Sequence, residues 1–252
     1  MLKKIVLIGS AITLTPFAIA PLAHADALGF SVGAYSWNQN IDGNVRADGD
    51  RVDLRDDLDF DSERNNVFFA EFEHPVPFLP NVRLQHTEMD STETATLNRT
   101  VEIDDDTYFI GTDVRTKLDL SHTDLTLYYS PLDNWVKLRT GLTLRKFDEG
   151  VKIESLLTGD SGEIDVDSVV PMLYLAARFD LPMTGLYAGI DANGIAYSDS
   201  HLYDARVNIG YESPIGLGVE GGYRRFQLQY EDGDDEADVT IDGAYVGVFY
   251  HF

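Results

Sequence analysis

Cysteine is absent from the 252 residues, which excludes a disulfide framework, thiol catalysis and zinc sites built on thiolates. Basic residues are scarce. Nineteen Lys and Arg stand against 43 Asp and Glu, a formal charge of −24 at pH 7. A surface of that sign repels nucleic acid, so no nucleic-acid partner is expected. Beyond the first twenty residues there is no long apolar run, and a membrane-crossing helix needs about 20 apolar residues. Glycine-rich phosphate loops, nucleophile elbows and spaced metal-ligand sets are also missing, so no cofactor is expected.

What is present begins with Lys3 and Lys4, an apolar stretch from Ile5 to Ala20 broken by Pro16, and then Ala23-His24-Ala25. This is the order of a secretory signal peptide over residues 1–25, cleaved before Asp26. The folded domain is therefore expected over residues 26–252, outside the cytoplasm. The chain's 13 Tyr, 13 Phe and 21 Gly favour strands over helices in an exported protein.

Two-residue periodicity dominates. Val136, Leu138, Thr140, Leu142 and Leu144 alternate with Lys137, Arg139, Gly141, Thr143 and Arg145. Tyr203, Ala205, Val207, Ile209 and Tyr211 likewise alternate with Asp204, Arg206, Asn208, Gly210 and Glu212. A soluble sandwich alternates too, so further features are needed to choose a barrel facing lipid. Aromatics cap the apolar faces, as at Tyr203 and Tyr211 or at Tyr128, Tyr129 and Trp135, which is how interfacial girdles read. Connections alternate between short proline turns (74–80, 131–134, 180–184, 212–214) and long acidic segments (38–65, around 104–106, 148–162 and 231–238), with one short polar link at 198–201. That asymmetry separates the periplasmic and extracellular ends of an outer-membrane barrel.

The expected fold is all-β: an antiparallel up-and-down transmembrane β-barrel of about ten strands, in the outer membrane of a Gram-negative bacterium, with both termini periplasmic. Residues 50–61 fit either a strand extension or a short loop helix, since Leu54 and Leu58 also sit at helical spacing. Residues 92–120 exceed what one pair of membrane strands needs and read as a hairpin continuing beyond the membrane.

The sequence ends Ala244, Val246, Val248, Tyr250 and Phe252 on one face, a strand suited to close the barrel and leave no edge. Tyr250 and the terminal Phe252 resemble the signal by which barrel-assembly machinery recognises outer-membrane proteins. Glu73–Arg83 (EHPVPFLPNVR) and Asp124–Val136 (DLTLYYSPLDNWV) resemble a family of small, functionally uncharacterised outer-membrane β-barrel proteins of marine and related Gram-negative bacteria. The similarity runs from Leu28 to Phe252. It implies fold and location and supplies no activity.

Four constellations carry possible chemistry. The inward registers gather Glu71, Glu73, Arg83, Asp124, Lys137, Arg139, Arg145, Arg178, Asp191, Asp204, Arg206, Glu220 and Arg224. In a lumen of about ten strands such charges are expected to pair and fill the space, because water-filled porins need about 16–18 strands. The acidic loops offer Asp57, Asp59, Asp61, Asp234 and Asp235 as diffuse sites for divalent cations. An EF-hand from Asp57 fails, with Ser62 in place of its glycine and Phe68 in place of its glutamate. Asp199-Ser200-His201 with Asp104–Asp106 resembles the Asp-His and Asp-Asp pairs of the ten-stranded omptin proteases, although Asp/Ser/His is also ordinary turn composition. His122 and Asp124 form a further candidate pair.

The sequence reading is a non-enzymatic barrel with acidic extracellular loops and an envelope or surface role. Passage of small solutes through a narrow channel is the second reading and an omptin-like protease the third. The expected partners are outer-membrane lipid, lipopolysaccharide, the assembly machinery and divalent cations.

Overall fold

The computed structural model describes every residue except 1–27, 47–48, 77, 104–105, 149, 157–160, 166–168 and 233–234. The expected signal peptide lies outside the described residues, as do Asp104, Asp105 and Asp234. In chain order the strands are β1 (Gly29–Arg46), β2 (Val52–Asp53), β3 (Ser62–Glu73), β4 (Asn81–Thr87), β5 (Asp90–Thr96), β6 (Val101–Ile103), β7 (Asp106–Tyr108), β8 (Asp113–Asp119), β9 (His122–Asp133), β10 (Val136–Phe147), β11 (Gly150–Ser155), β12 (Ser161–Asp165), β13 (Val169–Asp180), β14 (Leu186–Tyr197), β15 (Ser200–Glu212), β16 (Leu217–Asp232) and β17 (Asp235–His251).

Ten of these, β1, β3, β4, β9, β10, β13, β14, β15, β16 and β17, pair antiparallel with their neighbours. β17 then pairs β1 from Ser31↔His251 to Arg46↔Glu236 and closes the ring. The alternation predicted from sequence sets the two faces. On β10, Leu138, Leu142 and Leu144 are exposed, whereas Thr143 and Arg145 are fully buried. Phe68, Leu84, Leu125, Leu173, Ile190, Val207, Val219 and Val248 continue the exposed apolar belt around the barrel. A closed ring leaves no unpaired edge within that belt, the condition for backbone in contact with hydrocarbon. Strands approach closely where inward glycines allow it. A Cβ on Gly141 would stand 2.1 Å from the Leu127 carbonyl oxygen.

The two ends differ. At the turn end the links are short, with Ser213 and Gly216 joined by a 2.9 Å backbone bond. β9 runs on through Pro131 to Asp133, so that turn lies at Asn134 and Trp135, beyond the proline expected to form it. At the loop end β5, β8, β11 and β12 form a second, four-stranded sheet, and β6 pairs β7 in a separate hairpin. The long 92–120 segment is thus a hairpin widened by extra strands, since β8 recruits β11 from another connection.

In residues 50–61 the strand extension is confined to Val52–Asp53, and hydrogen-bonded turns stand where a short loop helix was the alternative. Val52 pairs Val45, and the chain then makes a helical turn with Asp57 N–H bonded to Asp53 O and Asp59 N–H to Arg55 O, each at 3.2 Å. That turn buries Leu54 and Leu58, and Phe60 beside them, in one apolar core. The core spans Val67, Phe147, Leu202 and Phe226 at the barrel mouth and Met89, Leu97 and Val101 in the loops. The mouth at the loop end is therefore filled by hydrocarbon.

Candidate functional site

Below that apolar cap the lumen is occupied by charged side chains, arranged in tiers by the stagger of the strands. In the upper tier, Arg145 on β10 donates at 2.7 Å to each Asp124 oxygen and at 2.7 Å to Asp204. Arg224 on β16 binds the same Asp204 at 2.8 and 2.6 Å and donates to the Tyr35 hydroxyl at 3.0 Å. Its guanidinium also lies 4.6 Å from the centre of the Trp37 ring. Two arginines and two aspartates make this tier neutral, and every carboxylate oxygen accepts a charge-assisted bond.

The middle tier repeats the design. Asp191 accepts from Arg206 at 3.1 Å and from Arg83 at 3.3 Å. Glu220 accepts from the Tyr187 hydroxyl at 2.9 Å and lies 3.5 Å from Arg206. Glu71 sits 3.3 Å from both Arg83 and Arg139. Arg139 reaches Glu73 at 2.8 Å, and Glu73 also takes the Tyr128 hydroxyl at 2.8 Å. At the turn-end rim Arg178 joins Asp180 and Glu212, and Lys137 lies 3.5 Å from Asp133.

All the lumen charges expected from sequence thus face inward and have partners. The cavity left among Tyr35, Arg83, Asp124, Asp191 and Arg224 has a volume of about 20 Å³, room for roughly one water. The aromatic members of the network were not anticipated. Tyr128, expected in a girdle, is fully buried in the lumen, and its neighbour Tyr129 is the exposed one. The parity of Leu125 and Leu127 on the same strand carries that signal.

The other candidates fall elsewhere. Asp199 lies in the turn between β14 and β15 and accepts from the Ser198 hydroxyl. His201 shares the outward register of Tyr203 and stacks on it, 6.0 Å between ring centres. No hydrogen bond or ion pair joins Asp199 and His201 among the described residues, so the side-chain pair of an omptin-like site is not assembled there.

His122 and Asp124 are both buried in the lumen but do not bond to each other. The His122 Nδ1 meets the Leu120 carbonyl at 2.8 Å, and Asp124 belongs to Arg145. With Asp204 these two place ligand atoms within 4.8 Å of one another. Both carboxylates are already saturated by guanidinium, so a divalent ion would have to displace two arginines. The donor set does not suit a metal.

In the acidic loops, Asp57 is bound by Arg99 at 2.9 Å and by the Asp53 N–H at 3.1 Å. Burial pulls its carboxyl up, but these bonds outweigh it and hold the group below the usual carboxylate range. Glu93 shifts the other way, raised by burial and by repulsion from Glu63, Asp59 and Asp61.

Among solved structures, the outer membrane protease OmpT from Escherichia coli is similar over 92% of this chain and 99% of its own, with 11% identity and a TM-score of 0.50. An outer membrane channel from Pseudomonas putida F1 covers 93% of this chain and 100% of its own at 10% identity, with a TM-score of 0.40. A FadL homologue of Pseudomonas aeruginosa covers 90% of each chain at 8% identity, with a TM-score of 0.37. The likeness to OmpT shows the fold alone: a closed barrel of the outer-membrane type. No protein-family model and no curated protein matches the chain.

Proposed function

We propose that this chain is a non-enzymatic outer-membrane barrel of a Gram-negative bacterium, with an envelope or surface role. Its first 25 residues serve for export, and the termini and short turns face the periplasm. The observation that carries the reading is the filled lumen, where arginine-carboxylate tiers leave a cavity of about 20 Å³ beneath an apolar cap. A solute path needs continuous water, and a hydrolase needs an open cleft with an assembled acid-base pair. The lumen cavity, with room for about one water, accommodates neither. What the barrel offers the exterior is the acidic loop end, beside lipopolysaccharide and its bridging cations.

The test is conductance. Purified protein in planar bilayers should give no steady current, and large reproducible openings would overturn the reading in favour of the channel. The location has its own check: mature protein beginning at Asp26 should fractionate with outer membranes and change gel mobility on heating. Recovery as soluble periplasmic protein would reject it.

A further inference from the structure

The turn end carries bulky apolar residues where turns ordinarily carry polar ones. Phe78 is 90% exposed, Ile215 is 73% exposed and Met183 is exposed completely. Each follows a proline in sequence: Pro77-Phe78, Pro182-Met183 and Pro214-Ile215. The fourth turn presents Trp135, half exposed and edge-on to Phe179 at 5.3 Å.

Backbone conformation makes two of these choices costly. Thr184 N–H bonds the Leu181 carbonyl, so Leu181 to Thr184 is a turn with Pro182 and Met183 at its centre. Met183 has φ 64° and Phe78 has φ 69°. A turn with positive φ at its third position ordinarily takes glycine or asparagine there, and a bulky side chain in that region is strained. Strain at full exposure serves no packing inside the barrel. A non-protein surface that takes up the side chains would explain both features.

The exposed belt leads directly to these tips. Tyr129, outward on β9, donates its hydroxyl to the Phe78 carbonyl at 2.9 Å and folds that turn against the belt's rim. Leu186, Leu217 and Trp135 continue the apolar surface from the strands to the other tips.

We infer that the turn end is seated in the membrane, with Phe78, Trp135, Met183 and Ile215 inserted at the headgroup and acyl boundary of the phospholipid leaflet on that side. The inference rests on the outer-membrane reading above. It gives the barrel an asymmetric depth: turns submerged, loop-end sheet standing clear in water.

The chain has no cysteine, so single Phe78→Cys, Met183→Cys and Ile215→Cys variants can each carry one nitroxide label. Leu142→Cys in the belt and Asp56→Cys at the loop end serve as references. After refolding into phosphatidylcholine vesicles, collision with oxygen and with a water-soluble nickel complex is measured at each site. Labels at the three tips should collide with oxygen more than with nickel, as at position 142 and opposite to position 56. Nickel access equal to that at position 56 overturns the inference and leaves a periplasmic protein as the partner of these tips. Closure to both probes also overturns it and points to a second copy of the chain. Nickel access at position 142 as well would defeat the membrane reading itself.

Discussion

Arg145→Met tests whether the lumen is held by charge pairing or merely filled. Arg145 is fully buried. Its removal takes both guanidinium bonds from Asp124 and one from Asp204. Asp204 keeps Arg224, at 2.8 and 2.6 Å, so the loss concentrates on Asp124. A buried carboxylate deprived of its cation costs about 3–5 kcal/mol. Adding Asp124→Asn removes the stranded charge, and the double variant should then lose only about 1–3 kcal/mol, the scale of a buried amide imperfectly paired. The second substitution should thus recover part of what the first removed, a coupling that independent sites would not show. Urea unfolding of refolded protein in micelles measures this, with Trp37 fluorescence as the local reporter because its ring lies under Arg224. A single variant within about 1 kcal/mol of the parent, or a double variant no better than the single, would refute the pairing argument.

Gly141→Ala should destabilise the barrel by about 1–3 kcal/mol, the scale of overpacking, because its methyl would meet the Leu127 carbonyl at 2.1 Å and Tyr128 Cα at 2.7 Å; unchanged unfolding would contradict the close approach of β9 and β10. For Glu93, whose pKa is raised above the ordinary 4.5, the charged form destabilises the fold, and that penalty fades as pH falls through the raised value. Glu93→Gln should therefore strengthen hydrogen-exchange protection of β5 at neutral pH and change little in acid. Asp57 has the opposite sign: its contribution is present above 3.8 and is lost as pH falls through its depressed pKa. Asp57→Asn should loosen the 53–59 turn at neutral pH, while calorimetric titration with Ca²⁺ and Mg²⁺ shows weak, unselective binding spread over the loops. One tight Ca²⁺ site abolished by a single substitution would reverse that assignment. Deleting Phe252, whose backbone bonds Phe30 in both directions at 2.9 Å, should lower membrane insertion and leave export intact, read by fractionation.

The barrel was legible because one physical constraint, an oily face and a filled face, acts on every residue of a strand. Lys137 to Arg145 declare it without ambiguity. At Tyr128 a local cue and this constraint disagree: the Tyr128-Tyr129 pair suggests a girdle, but strand parity sends only Tyr129 outward. Parity also sends His201 out with Tyr203. The pairing scheme within the lumen was not legible. Arg145 and Asp204 stand 59 positions apart, and which charge faces which across a closed ring depends on register and stagger, which no local pattern records. The loop-end sheet is hidden in the sequence for a related reason. β8 bonds both β5 and β11, and residues 88–120 alternate too briefly and with too many polar groups to announce a partner from a distant connection.

The seam between β1 and β17 imposes an order of events. β1 finds β3 across a short span of chain, but its other edge waits for a strand more than 180 residues later, matched from Ser31↔His251 to Arg46↔Glu236. Until then a long row of amides and carbonyls on β1 stands open, and pairing so distant in sequence is intrinsically slow. Closure is also what brings Arg224 against Tyr35, so the upper tier is completed only when the ring is. An unfinished barrel would therefore present a free edge to hydrocarbon and leave Arg224 held by Asp204 without the Tyr35 hydroxyl. Closing that one seam thus satisfies the open backbone edge and this lumen contact together.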